Sequence, residues 1–291
     1  MVDTALVNDL KSCGSPETLL AAILKHRPER QTPVDVEAFA RDVGIREFRT
    51  IDGDGATCAL MADIGKTEGV ILCAPGLSPQ RQRFAIAHQL GHYLLASHLG
   101  DRQCSDQDLG ERRRDTAHRK AEMQANRFAA GLLMPKPWFV DLVASLGKAT
   151  VAHIPTIAAG YAVSVETAAA RYADLTQTTC AFLFIKNGVM RYARPSRSFP
   201  PLSITAGDEV VPAVRSARPD DRIAWIAADP RDWMALATGA RPPRLAMQIL
   251  SKSNGFQLVM LLINAAAERR ADEEAEKAAT ESPKFGRRPS R

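Results

Sequence analysis

The chain has 291 residues, 45% of them apolar and 24% charged, with a net charge of +5 and a pI of about 9.0. This excludes a small stapled scaffold and leaves room for two or three compact units with sizeable cores, while so mild a positive excess does not by itself point to nucleic acid. No apolar run approaches the roughly 18 residues of a membrane span, and "MVDTALVNDLKSCG" lacks a basic flank followed by an apolar core, so no span or secretory signal is expected and the chain reads as cytoplasmic.

In chain order, residues 5–27 and 33–43 carry helical periodicity, with Ser15 to Glu17 as a helix start and "RPERQTP" as the break. "GVILCA" reads as a buried strand ended by Pro75 and Gly76. A helix follows from about Pro79 to Leu99, then the charged stretch "GDRQCSDQDLGERRRD", then a second helix, "HRKAEMQANRFAAGLLM", which Pro135 stops. Residues 153–175 have the outline of helix, turn and helix. Two apolar runs flank Asn187-Gly188 and two more flank Asn254-Gly255, each a hairpin signal, so a β-rich unit begins near residue 177. From Glu268 the chain is charged and then rich in Pro, Ser and Arg, and a disordered tail is expected. Five scattered cysteines (Cys13, Cys58, Cys73, Cys104 and Cys180) contain no CxxC pair. They read as reduced, buried thiols and argue against thiolate zinc sites.

The chemistry concentrates in "RFAIAHQLGHYLL". Positions four apart project from one face of a helix, so His88 and His92 can aim at one ion. About one chain in eight of this histidine content carries such a pair by chance, so the context decides. Phe84, His88, Gly91, His92 and Leu95 share one stripe and Ile86, Leu90 and Leu94 another, which makes a buried helix with two imidazoles on an apolar face. Two buried imidazoles with Gly91 clearing space between them point to a metal.

Zinc takes a third protein ligand, and here there are two candidates. His98 stands where an HExxHxxGxxH protease has its third histidine, but that pattern bends the chain at a glycine and Leu95 occupies the position. His98 is therefore expected off the metal face, at the surface. The alternative is Glu122 on the second helix, where Glu122, Ala125, Asn126 and Ala129 form a small-residue stripe that permits close approach. Asn126, one turn on, is placed to orient a ligand.

The two segments "RQRFAIAHQLGHYLL" and "EMQANRFAAGLLMP" resemble the RFxxAHExGH and ExxANxFAAxLLMP signatures of the ImmA/IrrE-type metallopeptidases. The resemblance covers about residues 55–175. It implies an α+β protein with a zincin-like domain, mainly helical with a small sheet, in which zinc is held by His88, His92 and Glu122. It also implies a helix-turn-helix-like segment and, in some members, a GAF-like C-terminal domain that can take a small ligand, a place the β-rich unit would fill here. With the boundaries read above, these are 1–150, 151–176 and 177–267, followed by the tail 268–291. Known members cleave helix-turn-helix repressors, which makes such a repressor the expected partner.

The departure is Gln89, where the family carries its general-base glutamate. An amide can orient water but cannot accept its proton, and loss of a positioned base typically costs about 10² to 10⁴ in rate. Position 89 is not a ligand, so zinc binding is expected to survive while hydrolysis is strongly reduced. The acidic residues Asp101, Asp106, Asp108 and Glu111 are the other candidates for a base. The alternative to an enzyme is a non-catalytic, zinc-containing sensor or binding protein. Direct DNA binding is not expected, because "VETAAARYADL" offers one Arg171 against Glu166 and Asp174.

Overall fold

The computed structural model describes residues 2–51, 57–63, 65–98, 102–105, 116–219, 221–236, 239 and 241–263. The expected tail 268–291, the acidic candidates Asp101, Asp106, Asp108 and Glu111, and Arg112 to Arg114 lie outside them. The chain divides into two compact units, one of residues 1–148 and 153–171 and the other of 149–152 and 172–291. Among the described residues no helix is long and apolar enough to cross a membrane.

The first unit opens with three capped helices, α1 (Thr4–Lys11), α2 (Pro16–His26) and α3 (Val36–Asp42). The side chains of Asp3, Ser15 and Asp35 each accept a backbone N–H of the first turn, and Ser15 and Thr18 do so reciprocally. The apolar period of 5–27 therefore belongs to two helices, divided where Ser15 caps the second. Four strands follow, β1 (Ile45–Thr50), β2 (Cys58–Ala62), β3 (Gly69–Cys73) and β4 (Arg102–Cys104), in the order β1-β3-β2-β4. Only β1 and β3 run parallel.

Helix α4 (Pro79–Leu94) starts at the cap Ser78, with Pro79 in its first turn. Every residue from Ala85 to Tyr93 is buried, so this stretch is enclosed on all sides, between the sheet on one flank and α5 (Thr116–Leu133) on the other. Gly91 sets the spacing to α5: a Cβ there would lie 2.9 Å from Ala125 Cα and 3.2 Å from its carbonyl oxygen. The helix stops earlier than its apolar period suggests, because Leu95 turns extended. There Lys66 Nζ donates to the carbonyls of His92 and Leu95, each at 2.8 Å, taking up two of the carbonyls a helix end leaves open. Helices α6 (Lys136–Ser145), α7 (His153–Tyr161) and α8 (Val165–Leu175) follow. Arg171 is buried and donates through Nε and Nη2 to the Met134 carbonyl at 3.1 and 3.0 Å.

The second unit is a five-stranded antiparallel sheet in the order β6-β5-β9-β8-β7. Its strands are β5 (Cys180–Lys186), β6 (Val189–Pro195), β7 (Ile226–Ala228), β8 (Leu245–Ser251) and β9 (Phe256–Ile263), with the short helix α9 (Pro212–Arg215) before β7. Both expected hairpins are present. Asn187 and Gly188 have φ of 52° and 77°, the left-handed pair that a tight turn matching strand twist requires. Trp233, Leu183, Val259 and Leu261 centre the core on one face, all at 0% exposure.

Candidate metal centre

Four side chains from three elements meet in the interior of the first unit: His88 and His92 of α4, Glu122 of α5 and Cys104 of β4. One donor atom from each lies within 4.8 Å of the other three, and all four residues are buried. Nε2 of His88 is 3.1 Å from Nε2 of His92, 3.1 Å from Glu122 Oε2 and 3.4 Å from Cys104 Sγ. Nε2 of His92 is 3.4 Å from Glu122 Oε1 and 3.7 Å from the same sulfur, which is also 3.7 Å from Glu122 Oε2. His118, one turn before Glu122, approaches Oε1 at 3.8 Å from a less buried position.

The outer nitrogens of both rings are occupied. His88 Nδ1 donates to Asn126 Oδ1 at 2.9 Å, and His92 Nδ1 lies 2.9 Å from Nδ1 of His98, whose Nε2 donates to Gln124 Oε1 at 3.1 Å. His88 in its neutral form therefore directs a lone pair inward, against a second ring nitrogen and a carboxylate. The His88 ring and the Cys104 thiol both approach Glu122 Oε2, while Glu122 Oε1 is buried with no hydrogen bond. This donor set fits a metal cation better than it fits a network of hydrogen bonds.

The electrostatics reflect the same crowding. Burial pulls the His88 pKa down, but hydrogen bonds and charge from Cys104 and Glu122 outweigh it and hold the ring at about 9. Burial, joined by repulsion from His88 and His98, takes His92 down to about 4. Burial would raise Glu122, yet both histidines keep it well below the usual carboxylate range. Cys58 first, and then burial, hold the Cys104 thiol well above its ordinary value. Without an ion, the cluster thus keeps a proton on His88 and one on the thiol.

Of the residues singled out in the sequence, His88, His92 and Glu122 converge, Asn126 touches the outer nitrogen of His88, and His98 touches the outer nitrogen of His92. The surface position expected for His98 is corrected: it is 2% exposed. The chain turns at 96–97, so a helical projection carried past Leu94 misplaces the ring. Cys104 is free and buried, as expected of these thiols, and it also stands among the residues that could hold a metal ion. A single sulfur arriving on a strand leaves no CxxC spacing to find.

Gln89 is fully buried beside this cluster, with Nε2 3.0 Å from Cys58 Sγ and Oε1 without a partner. Cys58 pairs in register with Cys73 on one side and Cys104 on the other, so three sulfurs lie in a row across β3, β2 and β4. Burial lifts the Cys73 thiol to about 11, so it stays protonated and inert at neutral pH.

No curated protein matches the chain. A peptidase-family model described as IrrE N-terminal-like domain matches residues 40–172, a span that contains the whole cluster. Residues 40–172 are thus similar to the N-terminal domain of the ImmA/IrrE-type family.

Proposed function

We propose that this chain is a zinc-binding regulatory protein of the ImmA/IrrE type that recognises a helix-turn-helix transcriptional repressor and cuts it slowly or not at all. The observation that carries the reading is the convergence of His88, His92 and the Glu122 carboxylate at a buried point while position 89 carries an amide. Two imidazoles and a carboxylate with a thiol nearby suit zinc better than the hard cations magnesium or calcium. Bound zinc would supply Lewis-acid polarisation of a peptide carbonyl. Gln89 cannot take up the proton that hydrolysis must move, because an amide is not a base near neutral pH. In this reading, α7 and α8 serve as the helix-turn-helix-like part, and the C-terminal sheet takes the GAF-like role of sensing a small molecule.

A second reading, a zinc-containing binding protein with no hydrolytic role, is favoured by the packing of Gln89 against Cys58. The test is to incubate zinc-loaded protein with lysate of its host, identify retained proteins and count new amino termini by mass spectrometry. Retention of an intact helix-turn-helix protein, lost in His88→Ala, is the expected result. Cleavage by the wild type at ordinary protease rates would overturn the suppressed hydrolysis. Retention unchanged in His88→Ala would remove the metal from recognition.

A further inference from the structure

The sulfur at the centre has no place in a site that must leave one position open for water. We propose that Cys104 is a fourth metal ligand, so that the centre is a closed site of two histidines, one cysteine and one glutamate. The inference rests on the zinc reading above and deepens it.

The first argument is geometric. Tetrahedral zinc, with donors at about 2.0–2.2 Å for nitrogen and oxygen and about 2.3 Å for sulfur, separates its nitrogen and oxygen ligands by about 3.3 Å and its sulfur from each of them by about 3.6 Å. The nitrogen and oxygen contacts here are 3.1, 3.1 and 3.4 Å, and those of the sulfur are 3.4, 3.7 and 3.7 Å. With Glu122 Oε2 as the oxygen vertex, five edges of a tetrahedron are close to their proper length, and His92 meets the same carboxylate through Oε1. A sulfur that merely packed nearby would have no reason to be nearly equidistant from three donors.

The second argument is charge. His88 and His92 are 0% exposed, Cys104 1% and Glu122 2%. A dication held only by neutral imidazoles and one carboxylate would leave a net positive charge in this dry interior, which is costly. Cys104 as thiolate brings the centre to neutrality. Register supplies the third argument: pairing of Cys104 with Cys58 puts both side chains on the sheet face that packs against α4, and pairing fixes that face because side chains alternate along a strand. A one-residue slip of β4 would turn the sulfur away.

The consequence is that the position a hydrolytic water requires belongs to the protein itself. Closed four-ligand sites are the structural kind, so Gln89 and Cys104 disable the same chemistry from two sides.

Cobalt(II) loading of the full chain tests this, because a thiolate ligand produces an intense near-ultraviolet charge-transfer band that nitrogen and oxygen ligands do not. The expected result is the band at about one cobalt per chain, kept in Cys58→Ala and lost in Cys104→Ala, with metal affinity falling at least about ten-fold in Cys104→Ala, since even groups behind the ligands carry that much. Should Cys104→Ala not fold, X-ray absorption of zinc-loaded wild type decides without it: one sulfur among four scatterers supports the proposal. Stoichiometric metal with only nitrogen and oxygen neighbours would overturn the cysteine ligand and leave the zinc reading intact. Failure of the wild type to bind cobalt or zinc would overturn both.

Discussion

Asn126 Oδ1 accepts a hydrogen bond from Nδ1 of His88 at 2.9 Å, and that contact decides which nitrogen of the ring faces the other donors. Asn126 sits on α5 one turn after Glu122, so the helix that brings the carboxylate also sets the tautomer of its neighbour. Replacing Asn126 by Ala should lower zinc affinity by about 10- to 100-fold with the fold retained. Competition against a chromophoric chelator measures it, and an unchanged dissociation constant would show that the ring needs no orienting partner.

Gly91 allows α4 and α5 to approach until a Cβ would press on the Ala125 backbone. In an open helix Gly→Ala gains about 1 kcal/mol. Here the overpacking costs about 1–3 kcal/mol, since backbone cannot swing aside as a side chain can. Gly91→Ala should therefore lower the midpoint of denaturant unfolding despite its better helix propensity. A raised midpoint would mean the two helices are free to separate.

Zinc binding should release protons and strengthen with pH. The metal-free cluster holds a proton on His88, whose pKa stands at about 9, and one on the raised Cys104 thiol, and both must leave before these atoms coordinate. The sign is fixed: more protons in the free form means that apparent affinity grows about ten-fold per pH unit for each proton displaced, and the share owed to His88 fades as pH rises past about 9 while that of the thiol persists. Calorimetry in two buffers of different ionisation enthalpy counts the protons. An affinity that does not change between about pH 6 and 8 would contradict this set of ligands.

Restoring the base alone should not restore cleavage. Gln89→Glu supplies a proton acceptor but leaves the Cys104 sulfur in place, so its count of new amino termini in host lysate should match that of the wild type. Gln89→Glu combined with Cys104→Ala clears both obstacles and should exceed either single variant by about 10² or more. Equal activity of the single and double variants would mean that the sulfur never blocked the site.

The sequence made some of this legible and hid the rest for physical reasons. A helix carries information at a spacing of four, so His88 and His92 stand out, and Asn187-Gly188 and Asn254-Gly255 mark hairpins because few other pairs accept a left-handed backbone. β1 went unread: in "IREFRT" only Ile45 is buried, so the strand carries no alternating apolar signal. The nearness of Cys104 to His88 and Glu122 is not legible in the sequence because it runs through strand pairing with Cys58. His98 was misplaced because periodicity does not announce where a helix stops.

The two bonds from Lys66 to the end of α4 bear on how fast the centre can fill. Terminal turns of helices ordinarily fray, and His92 lies in the last turn of its helix. Lys66 joins the β2–β3 turn to the His92 and Leu95 carbonyls and sets a positive charge against the negative pole of the helix. The amides of that turn should then exchange with deuterium about as slowly as those at the middle of α4, with or without metal. A side chain already ordered in this way adds no local folding step to ion capture, so uptake should be gated by entry to the buried site and by proton loss.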